Sequence, residues 1–308
     1  MPQNGLSYYS LNTFFKEKFG GKTVKLSIDG GFTCPNRDGK ISTKGCIFCS
    51  EKGSGDFTPG RVMSIAEQIE EQKRRLSQKW PGTMYIAYFQ AFTNTYAPVE
   101  VLRQRYSQAI SQPGIIGLAI ATRPDCIDKK IAELLKEFSR KTYVMVELGL
   151  QTSNENTAEF INRGYPNSVF ENAVKLLSGF GIDTVCHIII GLPGESHEDM
   201  LNSVRYACSL GINGIKLQML NVLEGTDLGE YYKIHPFDIL SLDQYTDIVA
   251  RLLEYIPEDI VIHRLTGDGP RDLVIEPKWV FDKRLVLNTI SKKIRLYNIV
   301  QGRLSKQP

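Results

Sequence analysis

The chain has 308 residues, 42% hydrophobic and 23% charged, which is enough apolar content to bury a sizeable core and excludes global disorder. No apolar run approaches the roughly 18–20 residues of a membrane span, and the start MPQNGLSYYS lacks a signal-peptide pattern, so a soluble cytoplasmic protein with no membrane partner is expected. The net charge of +3 is unevenly spread: residues 278–308 carry eight basic residues against Asp282, a surplus of +7, while residues 1–277 sum to −4.

Residues 1–20 are read as an N-terminal helical segment. Residues 24–29 (VKLSID) alternate like a strand and run into GGFTCPNRDGKISTKGC, whose Gly, Pro, Asn and Asp make an irregular loop. A helix is expected over 64–79, where Ser64 and Glu67 have capping-box spacing. Strands follow at 83–90, 114–121, 142–150, 183–190 and 214–220. Helices are expected at 99–110, 128–138, 168–178, 196–209 and 242–255, with a short strand at 259–263. Strand runs that are apolar on both faces belong to a parallel sheet covered on both sides. The expected fold is therefore α/β, a partial (β/α)6 TIM-like barrel over 21–265 with a C-terminal basic extension over 266–308. The unusual polar and glycine residues cluster just after strand ends, at the rim where barrels place chemistry.

Six cysteines in a chain without a secretion pattern do not read as a disulfide framework. Cys34, Cys46 and Cys49 fall in one loop, spaced C-x11-C-x2-C. A closed zinc site needs a fourth ligand, which this loop does not supply. Three thiolates suit a [4Fe–4S] cluster with one iron free of protein ligands. Cys126, Cys186 and Cys208 read as small buried side chains, although Cys126 follows TRPD at the rim and keeps a substrate-side role open.

The cysteine loop together with YFQAFTNTYAP, ATRPD, ELGLQT, NRGY, HIIIGLPGE, LQMLNVLEGT and HRLTGDGP resembles the radical S-adenosylmethionine (SAM) superfamily. Within it the chain is similar to the YhcC/YtqA group, itself similar to the Elongator catalytic subunit. The x11 spacing departs from the superfamily's commoner C-x3-C-x2-C. The resemblance implies that Cys34, Cys46 and Cys49 hold a [4Fe–4S] cluster and that SAM binds its fourth iron. A reduced cluster, fed by an electron donor such as flavodoxin or ferredoxin, then cleaves SAM to methionine and a 5′-deoxyadenosyl radical. It also implies SAM contacts from Phe48, Gln90 and the following backbone, Glu147, Gln151, Arg163, His187 and Gly191. Each has a plainer alternative. Gln90 suits a polar turn, Glu147 an ion pair with Arg123, Arg163 the surface, His187 the core and Gly191 a bare turn.

In the extension, Val286, Ile290, Ile294 and Tyr297 share one helical face and Arg284, Lys292 and Arg295 the other. These three cations with Lys293 form a candidate nucleic-acid surface, with Trp279, Phe281 and Tyr297 placed to stack on unpaired bases. The Elongator-like resemblance implies tRNA as substrate, through remodelling of the wobble-uridine carbon-5 side chain, on the carboxymethylaminomethyl-to-aminomethyl branch. Two other readings stand beside it: a radical SAM enzyme acting on a small metabolite or peptide, and a zinc-stabilised interaction module without activity.

Overall fold

The computed structural model describes residues 7–60, 62–77 and 83–306. The end of the expected helix to 79, residues 1–6 and residues 307–308 lie outside that range. In chain order the elements are α1 (Leu11–Phe19), β1 (Thr23–Ile28), α2 (Ile65–Ser77), β2 (Met84–Phe89), α3 (Val99–Ile110), β3 (Ile115–Thr122), α4 (Lys129–Ser139), β4 (Tyr143–Gln151), α5 (Glu155–Phe160), α6 (Asn167–Gly179) and β5 (Asp183–Ile190). There follow α7 (His197–Ser209), β6 (Gly214–Met219), β7 (Val222–Leu223), α8 (Asp227–Ile234), α9 (Leu242–Leu252), β8 (Val261–Arg264), β9 (Val274–Glu276) and α10 (Lys283–Leu296).

Seven strands pair in parallel in the order β1-β2-β3-β4-β5-β6-β8, curled into the half-barrel expected from the sequence. The short strand after the sixth helix is thus the seventh stave of the sheet. Capping sets several helix starts, because a side-chain oxygen satisfies an N–H left over in the first turn. Ser64 and Glu67, Ser196 and Asp199, and Ser241 and Gln244 each form reciprocal capping boxes. No helix among the described residues is long and apolar enough to cross a membrane.

Three apolar clusters organise the molecule. The largest fills the space between the sheet and its outer helices and takes in Val280, Val286, Ile290, Ile294 and Ile299, so the residues after 265 share the barrel's core. A second lies inside the half-barrel, where Phe15 of α1 meets Ile86, Met145 and Val185 and closes one end. The third underlies the cysteine loop through Ile161, Leu192 and Leu228.

The sheet does not close on itself. Across the gap between β8 and β1, the chain at Ser10 makes a single parallel bridge to Ile262. Gln301 holds the same region by accepting from Tyr9 N (2.7 Å) and donating to Pro257 O and Ile260 O.

Lys293 does not sit on the outer face of α10. It is buried, with Nζ 2.7 Å from Asp243 Oδ1 and 2.6 Å from Asp243 O, because its position adjoins Ile290 and Ile294 rather than Arg295. The three tail aromatics also turn inward. Trp279 donates to Leu240 O and packs on Tyr245, while Arg251 covers Tyr297 and Arg271 covers Phe281. Arg284, Lys292 and Arg295 remain exposed.

Candidate cofactor and substrate site

The loop between β1 and α2 brings Cys34, Cys46 and Cys49 to one cavity at the carboxyl ends of the strands. Its irregular path is fixed by side chains that replace regular backbone pairing. Arg37 donates to Cys49 O (2.7 Å) and Ser50 O (2.8 Å). Asn36 donates to Asn162 O, and Asn162, at φ 52°, returns a bond to Gly45 O. Ile47 N bonds Ile161 O and Leu228 N bonds Ile47 O, so the loop is pinned between α5 and α8.

Burial pushes the Cys46 thiol up to about 12, with the neighbouring Cys49 adding to it and Arg123 opposing it. Cys49 is also raised, by burial first, with Arg37 opposing. Half-buried thiols crowded in this way give up their protons most readily to a cationic partner, which suits an iron–sulfur cluster. Among the described residues no three His, Cys, Asp or Glu side chains are grouped to clasp a single ion. A cubane does not ask for that, because each thiolate binds a different iron.

Phe48, Gln90, Glu147, Gln151, Arg163 and His187 all line the same cavity. Gln90 accepts from Ser27 Oγ (2.8 Å) and donates to Ser54 O (2.9 Å). Gln151 ends β4 with φ 69°, a left-handed turn that directs the chain out of the sheet. Phe48 also contacts the apolar cluster beneath the loop.

Glu147 is fully enclosed, and the alternative of an ion pair with Arg123 is not the arrangement formed. Arg123 pairs with Asp125 (2.7 Å) and donates to Arg163 O. Glu147 instead accepts from Lys25 (2.5 Å), Tyr88 Oη (2.7 Å), His187 Nε2 (2.9 Å) and Lys216. Although burial opposes ionisation, Lys216 and Lys25 together hold this carboxyl well below the usual range. Burial and then Lys216 push His187 down to about 4, and burial takes Lys216 down to about 7. Lys216 carried the same sequence signal as Glu147, a charge inside an apolar strand, which is costly unless paired.

Two expected SAM contacts have other work. Arg163 is neither exposed nor free. Its five N–H groups meet Leu150 O, Thr152 O, Tyr165 O, Glu155 and Asn167, tying the end of β4 to the turn before α6, so none is left for a SAM carboxylate. Gly191 lies outside the cavity. A Cβ there would strike Leu240 at 2.9 Å, and its φ of 88° adds a second reason for glycine. Cys186 is buried in the core and Cys208 packs against it, while Cys126 sits near enough to Cys34 for their charges to interact but does not line the cavity.

The family model described as "Radical SAM superfamily" matches residues 36–207, and "Radical_SAM C-terminal domain" matches 212–295. The chain belongs to the radical SAM superfamily. Members of this superfamily are enzymes that use a [4Fe–4S] cluster and SAM, and the three-cysteine cavity has the donor set for that pair. Bacillus subtilis YtqA is 42% identical over 96% of this chain and 92% of its own length. Escherichia coli YhcC is 35% identical over 85% and 84%. A Methanocaldococcus jannaschii tRNA uridine(34) acetyltransferase is 27% identical over 52% of this chain and 30% of its own. The structure of Methanocaldococcus infernus Elp3 superposes with a TM-score of 0.69 at 16% identity, over 91% of this chain and 64% of that one, which shows a shared fold.

Proposed function

We propose that this radical SAM enzyme acts in the cytoplasm on tRNA, remodelling the carbon-5 side chain of the wobble uridine. The observation that carries the reading is the likeness to a tRNA uridine(34) acetyltransferase over about half of this chain. The exposed cations Arg284, Lys292 and Arg295 on α10 support it, since phosphate contacts supply most of the affinity of RNA-binding surfaces.

In this reading Cys34, Cys46 and Cys49 hold the cluster. Phe48 lies beside the adenine, while the Gln90 backbone, Gln151 and His187 contact SAM. Glu147 positions them by fixing His187, rather than by touching SAM itself. The cluster and SAM supply a radical that removes hydrogen from an unactivated carbon, taking their electron from a donor such as flavodoxin or ferredoxin. The protein's part is to orient that carbon and to exclude water.

Anaerobic reconstitution should give a brown protein that forms 5′-deoxyadenosine with dithionite and SAM, and Cys34→Ala should abolish both. The tRNA nucleosides of cells lacking the gene should show a wobble uridine stopped at the carboxymethylaminomethyl stage. Reversing the charge at Arg284, Lys292 and Arg295 should weaken tRNA binding and flatten its salt dependence. Unaltered tRNA nucleosides, with no salt-sensitive RNA affinity, would point instead to a small metabolite or peptide substrate.

A further inference from the structure

The half-barrel is open along one side. Strands β1 and β8 do not pair, and a cavity of about 540 Å³ lies between them, flanked by the chain around Ser10 and by α10. Lys22, Lys25, Lys216, Arg264 and Lys283 line this seam, and among the described residues no aspartate or glutamate does. Tyr88, Gln90, Lys216 and Arg264 line both the seam and the cysteine cavity, so the two spaces adjoin.

Charge is unbalanced here. Glu147 is shared by Lys25 and Lys216, and Asp268 by Arg264 (3.4 Å) and Lys283 (3.0 Å). His187 and His263 add no compensating or competing charge near neutrality, because burial pushes both down. Lys283 reaches water, but Lys216 is buried, and Lys25 is nearly so. With Lys216 protonated, two ammoniums on one enclosed carboxylate leave a positive charge that the protein does not neutralise. Donors are left over as well. Lys216 spends its N–H groups on Glu147 and on the Tyr88 hydroxyl (3.3 Å). Lys25 spends its own on Glu147 and His263 (3.5 Å), so each ammonium keeps a third.

We propose that the inner end of this seam is a subsite for a carboxylate on the substrate, held between Lys216 and Lys25. One negative charge matches the deficit around Glu147, whereas a phosphate monoester brings roughly −1.5 to −2. The two oxygens of a carboxylate match the two leftover donors. A phosphodiester would have to carry its chain into an interior closed below by Ile86 and Met145. The proposal rests on the tRNA reading only for which molecule brings the carboxylate.

The test has two arms, both on the anaerobically reconstituted holoenzyme. Lys216, held at about 7, is divided between ammonium and amine at pH 7, so the charged form that binds a carboxylate is present together with the neutral form that reacts with trace acetic anhydride, read by peptide mass. Sodium propionate should slow its acetylation about fivefold relative to sodium chloride of equal ionic strength, leaving exposed Lys292 unchanged. No protection overturns the subsite. So does equal protection by methyl phosphate, or full protection by SAM alone with nothing added by propionate. In the second arm, an anticodon stem-loop bearing carboxymethylaminomethyluridine should bind about tenfold tighter than one bearing aminomethyluridine, and Lys216→Met should erase the difference. Equal binding by the unsubstituted protein overturns the assignment of the subsite to the tRNA side chain. If neither stem-loop binds, the tRNA reading fails and the propionate arm alone decides the subsite. Lys216→Met leaves Glu147 paired with Lys25, and Lys25→Met serves if it does not fold.

Discussion

Two residues along each of three strands separate a dry plug from a charged cavity. Ile86 gives way to Tyr88 on β2, Met145 to Glu147 on β4 and Val185 to His187 on β5. Below the step, Phe15 and Phe19 of α1 close the barrel in contact with one another, and Phe19 packs edge-on against Tyr143. Above it, every side chain named is polar and each touches Glu147. Alternate residues of a strand share a face, so one sheet face presents both environments. The plug confines water and substrate to the rim and the seam, and the cluster above it spends folding stability on a charge arrangement that a hydrophobic filling would not need.

Changes on either side of this step separate packing from chemistry. Phe15→Ala should cost about 3–5 kcal/mol in denaturant unfolding, since a buried ring is lost from a closed space. It should leave iron content per folded molecule unchanged, and a selective loss of iron would erase the distinction between the halves. Glu147→Ala should cost about 3–5 kcal/mol by stranding Lys216 and Lys25 without their anion. Adding Lys216→Met to it should recover part of that loss, and a double-mutant cycle reads the coupling.

The pH response is smaller. His187 titrates near 4 in the fold against an ordinary 6.5, so the unfolded chain binds more protons between these values. Its contribution is fully present above about pH 6.5 and is lost as the pH falls through about 4. The loss is on the order of 3 kcal/mol relative to a His187→Gln variant, measured by melts across that range. Smallest of all, Arg295→Glu on the exposed face of α10 should change stability by less than about 0.5 kcal/mol, so any loss of RNA binding there is a loss of contact.

What the sequence made legible was local. The cysteine spacing, the strand-end motifs and the capping residues each lie within a few positions of one another, and the parallel sheet follows from their alternation. The partners of Glu147 were hidden because Lys25 is 122 residues away and Lys216 is 69, and no local pattern encodes such pairs. Arg123 looked the nearer candidate but had Asp125 two residues on. The five-fold engagement of Arg163 was hidden for a related reason, since carbonyls of β4 carry no side-chain signature. The short α5 and α8, and the two-strand ribbon of β7 and β9, are too brief for periodicity to show. Lys293 was misplaced because a residue flanking an apolar stripe can fall on either side of it, and Asp243 draws it inward.

The hydrogen bond between Tyr9 and Gln301 spans 292 residues. Closing a loop of that length costs about 5 kcal/mol in chain entropy, so this stitch forms after the strands it joins are in place. During synthesis the wall beside the seam therefore stays undone until residue 301 has emerged. Throughout that interval this side of the half-barrel lacks its bracing, and a contact between the two ends of the chain sets the moment at which the seam is framed.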